Sequence, residues 1–279
     1  MRHPSRFAIL MLMAALPAAA FNWDQGDPAA QWRSALSAPP AVPAAVLSRP
    51  PSSGGGVAGE FDSYVLALQW SAAFCETRPN LPECGDRDPD RFSAKHLTLH
   101  GLWPEKSGDA SHSYGYCGVD DATRALDRAA TWCRMPALGL TSRTMTRLTE
   151  VMPAVASCLH NHEWYKHGSC SGFDPESYFS RASDIVAAIA GTQFGRFLAA
   201  NAGRTVSADA LLSAFERDHG AGSGSKVRLT CVKARGTFLL SDVRLKLAHP
   251  LRPASELGRM LLAGGGKGNC PASFELDEL

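Results

Sequence analysis

The chain has 279 residues, 45% of them hydrophobic, with 28 Lys and Arg against 27 Asp and Glu. That length supports one large domain or two small ones with a real core, and the balanced charge excludes a global positive field that would draw the protein onto polyanions. Any contact with a polyanion has to be local.

The chain opens with a segment that reads as a cleaved export signal. Arg2 and Arg6 precede a short apolar run, Phe7 to Leu16, and Ala18-Ala19-Ala20 supplies the small residues at which a signal peptidase cuts. The run is shorter than the ~20 residues a bilayer span needs. Cleavage near Ala20 would remove two arginines and no acid, so the mature charge is 26 − 27 = −1. From residue 21 to 60 the composition turns to Ala, Pro, Ser and Gly, as in "SAPPAVPAAVLSRPPSSGGG". Such a stretch cannot bury enough apolar surface to order itself and is expected to be a flexible spacer. A folded domain is expected over 61–279, and no internal repeat is visible.

"SYVLALQW" alternates and is rich in aromatic and branched residues, which predicts a strand. "KHLTLHGLW" predicts a second, with Leu97 and Leu99 on one face and His96, Thr98 and His100 on the other. Gly101 would then let the chain turn, placing His100 at a strand end facing a cleft. "SRTMTRLTEVMPAV" has helical spacing, with Ser142 as a candidate cap and Pro153 as the stop. "HNHEWYKHG" predicts a further helix stopped by Gly168. "PESYFSRASDIVAAIA" and "SADALLSAFERD" read as amphipathic helices, the second capped by Ser207. "SKVRLTCV" and "TFLLSDVRLKLAH" return to strand alternation, and the terminal "LDEL" reads as the end of a strand or tail. Helices clustered between early and late strands predict an α+β fold with a central, mainly antiparallel sheet.

Eight cysteines, Cys75, Cys84, Cys117, Cys133, Cys158, Cys170, Cys231 and Cys270, follow the export signal. An even count in an oxidising compartment predicts disulfides, and the chain has no C-x-x-C pair to suggest zinc. Their pairing does not follow from their number.

The chemistry concentrates in "HNHEWYKHGSCSG", His160 to Gly172. On an α-helix His162 lies one turn from Lys166 and Glu163 one turn from His167, so the four side chains can share one patch. Two other readings stand beside a catalytic one. The patch could bind a metal, although His162 and His167 are five apart rather than the four of H-E-x-x-H. It could also be a polar surface helix, as His3, His112, His219 and His249 read as ordinary exposed positions.

"HLTLHGLWPE" and "HEWYKHGSC" together resemble the two active-site segments of the ribonuclease T2 family, in its bacterial periplasmic branch. "FDSYVLALQWSAAFC", "GFDPESYF", "LTC" and "GNC" extend the resemblance from Phe61 to the C-terminus. The resemblance implies an exported endoribonuclease that needs no metal or other cofactor and cleaves single-stranded RNA with low base specificity. The ribose 2′-hydroxyl attacks its own phosphodiester, and the 2′,3′-cyclic phosphate is then hydrolysed to a 3′-phosphate. By motif position His167 would be the general base, His100 the general acid and His162 a phosphate ligand, with Glu163 and Lys166 steadying the transition state. Glu163 has a plainer second role, pairing with Lys166 or orienting an imidazole. Trp103 would line a base or phosphate pocket, Glu105 would contact a base, and Tyr114 or Tyr116 would offer a stacking face. The family pattern further suggests Cys231–Cys270 and Cys117–Cys170. Cys75–Cys84 is then a short local loop, which leaves Cys133–Cys158. The expected protein is a monomer, periplasmic or extracellular, with no stable membrane insertion. An inactive RNA-binding or inhibitory domain on the same scaffold is the alternative from another class.

Overall fold

The computed structural model describes residues 56–109, 114–264 and 268–279. The expected signal and most of the spacer, with His3 and His112, lie outside these residues. Contacts of the domain start ahead of Phe61: Gly56 N donates to Gly115 O and Gly59 N to Cys170 O.

The described residues form one six-stranded sheet, mainly antiparallel and flanked by helices, as the α+β reading expects. Strand β1 (Ser63–Gln69) pairs antiparallel with β2 (Thr98–Glu105) on one edge and with β5 (Thr237–Ala248) on the other. Strand β4 (Val227–Ala234) covers the far edge of β5. Strands β3 (Arg204–Ser207) and β6 (Ser273–Leu276) form a short antiparallel pair at one end, joined to β5 by a single parallel step. "LDEL" therefore enters the sheet only at Leu276.

Alternation decides the inner face. Tyr64, Leu66, Leu68 and Trp70 of the first strand segment are fully buried, as are Val243 and Leu247 of β5. The helix Pro175–Ala190 lays Tyr178, Phe179, Ala182, Ile185, Val186 and Ile189 into the same core. Each such large apolar side chain contributes roughly 1.5–3 kcal/mol by leaving water. Asp174 starts that helix by accepting from Ser177 N, and Pro175 sits where a missing N–H costs nothing. The helix Ala208–His219 is capped by Ser207, and its His219 packs half-buried against Phe215 instead of standing exposed. A helix over Gln193–Ala200, capped by Thr192, completes this layer without an expectation from sequence.

Three local expectations change. The helix Ser142–Val151 is capped by Thr141, whose hydroxyl accepts from Thr144 N, so Ser142 is its first residue. Strand β2 starts at Thr98, because Phe92–Lys95 forms a helical turn and His96 stacks on Phe92. Thr98 is buried, where its hydroxyl meets Ser71 and Gln69 O.

Four disulfides join Cys75 to Cys84, Cys117 to Cys170, Cys133 to Cys158 and Cys231 to Cys270, and no cysteine is free. Two of them end on or beside the histidine-rich segment. Among the described residues no helix is long and apolar enough to cross a membrane.

Candidate active site

His100 owes its position to an irregularity in β2. Ala67 faces Gly101 and Leu68 faces Leu99, so His100 has no partner across the ladder. A bulge of this kind re-aims one side chain and resets the phase of the strand. Leu97 and Leu99 are buried before it and Leu102 after it. The chain does not turn at Gly101; β2 continues to Glu105. Gly101 serves instead by lacking a side chain: a Cβ there would lie 2.0 Å from Glu163 Oε2 and 2.3 Å from Trp103 Nε1. Tyr178 locks the next residue, donating to Leu102 O at 2.7 Å and accepting from Leu102 N at 3.3 Å.

The second segment starts as an α-helix, Leu159–His162, and then widens into a π-helical turn, Glu163–His167. In a π-turn the i, i+5 pairs share a face. His162 and His167 are therefore neighbours, with ring centroids 5.8 Å apart. The i, i+5 spacing that counts against a shared face on an α-helix here produces one. Gly168 is not a left-handed cap; its φ is −58° and the chain tightens into Gly168–Cys170. It is glycine because a Cβ would come within 2.5 Å of the Trp164 ring. Widened turns of this type occur frequently at functional sites.

Glu163 is the centre of the arrangement and is wholly buried. Its Oε2 accepts from Trp103 Nε1 at 2.7 Å. Its Oε1 has no hydrogen-bond partner and lies 3.7 Å from His100 Nε2 and 3.9 Å from His162 Nε2. Burial pushes the carboxyl up to about 8, against the Trp103 hydrogen bond and the Lys166 charge. Burial also draws His100 down to about 4 and His167 well below the ordinary imidazole range, helped by neighbouring cations. Lys166 contributes charge at a distance, with no ion pair among the described residues.

His162 has a second carboxylate behind it. Its Nδ1 lies 2.6 Å from Asp127 Oδ1, and Asp127 also accepts from Tyr116 Oη at 2.5 Å and Trp132 Nε1 at 2.7 Å. Burial would raise Asp127, but those hydrogen bonds and the His162 imidazole outweigh it and hold the group ionised below the usual carboxylate range. An ionised carboxylate only accepts, so His162 Nδ1 carries a hydrogen and Nε2 turns towards Glu163. Trp132 also stacks on the imidazole, at 4.9 Å and 31°. Tyr116 reaches Asp127 from a left-handed backbone, φ 52°, tied down by its N–H to Lys166 O and by the Cys117–Cys170 bridge. Sequence reasoning missed Asp127 and Trp132, and Tyr116 turns out to hold a carboxylate.

A pocket of about 310 Å³ opens beside this cluster. Trp103, Glu105, Tyr114, His167 and Arg244 are among its walls. Trp103 lies 5.3 Å from the His167 ring at a 30° tilt. Glu105 Oε2 is 2.5 Å from Lys246 Nζ and accepts from Ser63. Tyr114 donates to Val57 O, leaving its ring to line the pocket. Arg244 was not expected; its only signal in the sequence is the polar phase of the β5 alternation.

His162, Glu163 and His167 also offer three ligand atoms within 4.8 Å of one another. One feature fits a metal poorly: the carboxyl is held towards its neutral form, and a neutral acid is a weak ligand.

A strand-borne imidazole and a helix-borne pair thus stand around one buried carboxyl beside an open pocket, an arrangement that acid–base chemistry can use. Residues 61–255 match the model of the ribonuclease T2 family, and the chain belongs to that family. It is a ribonuclease T2-type endoribonuclease, metal-independent in its class. Over 240 residues it is 33% identical to ribonuclease I of Escherichia coli, covering 79% of this chain and 87% of that one. It is 29% identical over 199 residues to ribonuclease Rh of Rhizopus niveus, covering 67% and 71% of the two chains. Ribonuclease MC1 from bitter gourd seeds aligns over 77% of this chain and 100% of its own, with 25% identity and a TM-score of 0.48.

Proposed function

We propose that the chain cleaves single-stranded RNA by transphosphorylation followed by hydrolysis, with the roles divided among the residues described above. His167 takes the proton of the 2′-hydroxyl, and the 2′-oxygen forms a bond to phosphorus. His100 gives a proton to the 5′-oxygen as the P–O5′ bond breaks, leaving a 2′,3′-cyclic phosphate. In the second step water adds to phosphorus, the P–O2′ bond opens with the proton roles exchanged, and a 3′-phosphate results. Acid–base assistance of this kind contributes typically ~10²- to 10⁴-fold per group.

His162 and Lys166 bring positive charge to the phosphoryl oxygens, where negative charge builds up. Glu163 is too deeply buried to touch substrate and acts as a positioning residue, its free oxygen facing two imidazoles. The observation that carries the reading is this convergence of His100 and His162 on one buried oxygen, with His167 on the pocket wall. Trp103, Tyr114 and Glu105 would contact the base, with low selectivity because Glu105 is already neutralised by Lys246.

The protein is further proposed to act as a monomer in the periplasm or outside the cell, with 1–20 as signal, 21–60 as spacer and 61–279 as the catalytic domain. Four bridged cysteine pairs support an oxidising compartment.

The test is cleavage of a short RNA with and without EDTA, beside the same oligomer carrying one 2′-deoxyribose at the scissile position. The expected result is EDTA-resistant cleavage to a cyclic phosphate, blocked by the deoxy substitution. Loss of activity with EDTA would favour the metal reading, and no cleavage by disulfide-intact protein would favour the binding domain.

A further inference from the structure

Arg244 is the one pocket-lining cation whose charge is left unbalanced among the described residues. It projects from β5 between Asp242 and Lys246, on the face opposite the buried Val243 and Leu245. Lys106 is paired with Glu60 at 3.1 Å and Lys246 with Glu105 at 2.5 Å. No described carboxylate pairs with Arg244, and its Nε is buried without a hydrogen-bond partner. The nearby acids are otherwise engaged: Asp109 accepts from Tyr114 N, and Asp242 accepts from Ser241 Oγ. The guanidinium instead lies over the Trp103 ring, 5.2 Å from its centroid. Stacking on an indole holds a guanidinium flat and leaves its edge of N–H donors free for an anion.

The charge has a natural counterpart in the substrate. An RNA strand crossing this site carries further phosphates on either side of the one being cleaved. Trp103 packs against both His100 and His167 and also carries Arg244, and Arg244 and His167 line one pocket, so the guanidinium stands beside the reacting groups. A planar donor fork suits two phosphate oxygens. We infer that Arg244 holds a phosphate flanking the scissile phosphodiester, so that the enzyme grips RNA across at least two phosphates. The inference rests on the nuclease reading above.

The test compares a dinucleoside monophosphate with the same dinucleotide carrying an added 5′- or 3′-terminal phosphate, at several salt concentrations. Wild-type enzyme is expected to show a KM lower by on the order of 10-fold for one of the phosphorylated substrates. Its salt dependence should be steeper by about 0.7 in log–log slope, the amount one single-strand phosphate contact releases. Arg244→Gln should collapse both differences towards nothing, while Arg244→Lys should keep part of them. Equal KM values for all three substrates with wild-type enzyme would overturn the inference without any variant. An equal loss on all three in Arg244→Gln would also overturn it, placing the guanidinium at the base or the scissile phosphate. Absence of cleavage of every substrate by wild-type enzyme would overturn the nuclease reading itself.

Discussion

Two buried carboxyls stand on either side of His162, and they have opposite fates. Asp127 receives three hydrogen bonds and stays ionised below its usual range. Glu163 receives one, from Trp103, and is pushed towards its neutral form. Both are lost to solvent to a similar degree, with side-chain exposures of 2% and 0%. Burial raises both; at Asp127 three donors and the His162 imidazole outweigh it, whereas at Glu163 the Trp103 donor and the Lys166 charge do not. On the Asp127 side the site is a fixed clamp that sets the orientation of one imidazole. On the Glu163 side a carboxyl oxygen without a hydrogen bond faces two imidazoles.

The largest effect should come from the proton-transfer groups themselves. His100→Ala or His167→Ala is expected to lower kcat by ~10²- to 10⁴-fold, with circular dichroism and disulfide content unchanged. Loss of folding in both variants would assign these histidines to the structure instead.

Next comes the clamp. Asp127→Ala leaves an imidazole, a phenol and an indole without their acceptor, and should cost about 3–5 kcal/mol in denaturant unfolding. Asp127→Asn keeps the shape but gives up the ionised acceptor, and should lower kcat by roughly 10- to 100-fold with a smaller stability loss. Wild-type rates in Asp127→Asn would mean that His162 needs no orienting partner.

The Glu163 side should show itself in pH dependence. Glu163 has a folded pKa of about 8 against an ordinary 4.5, so its stability contribution is full below 4.5 and is lost as pH rises through 8. His100, drawn down from 6.5 to about 4, acts with the opposite sign: its contribution is present above 6.5 and is lost as pH falls through 4. Glu163→Gln should abolish the alkaline decline in unfolding free energy and leave the acidic one. The same alkaline slope in wild type and variant would show that Glu163 is ionised at neutral pH. For activity, free enzyme with a lowered His100 should place the alkaline limb of kcat/KM below 6.5, and the limb of kcat should lie higher because a bound phosphate favours the imidazolium.

The smallest effect is expected at Glu105. Glu105→Gln frees Lys246 and breaks one half-exposed ion pair, worth ~0.2–1 kcal/mol at most. Its informative readout is the rate ratio among dinucleotides of different base, which should shift modestly if the pocket holds a base.

Much of this was legible in the chain. The alternation of "SYVLALQW" and "TFLLSDVRLKLAH" marks the two central strands, because a half-buried sheet needs a period of two. The i, i+3, i+4 pattern of Pro175–Ala190 marks the helix that backs the site. His100 and the His162–His167 group lie in compact motifs, so their chemistry could be read without a fold. Asp127 could not: "ATRALDRAATWC" has neither a period nor a motif, and its role exists only because the Cys133–Cys158 bridge and Asn161, donating to Trp132 O, hold that loop beneath His162.

The sequence by itself determined the kinds of groups available, their export-compatible cysteines and the strands and helices that carry them, since all of these depend on near neighbours in the chain. Only the tertiary structure decided how protons and charge are distributed among them. A bulge aims His100, a π-turn sets His167 beside His162, Gly101 makes room for Glu163, and Arg244 arrives from a distant strand. Burial and donor count, which settle whether a carboxyl is charged, come from long-range packing and cannot be read along the chain.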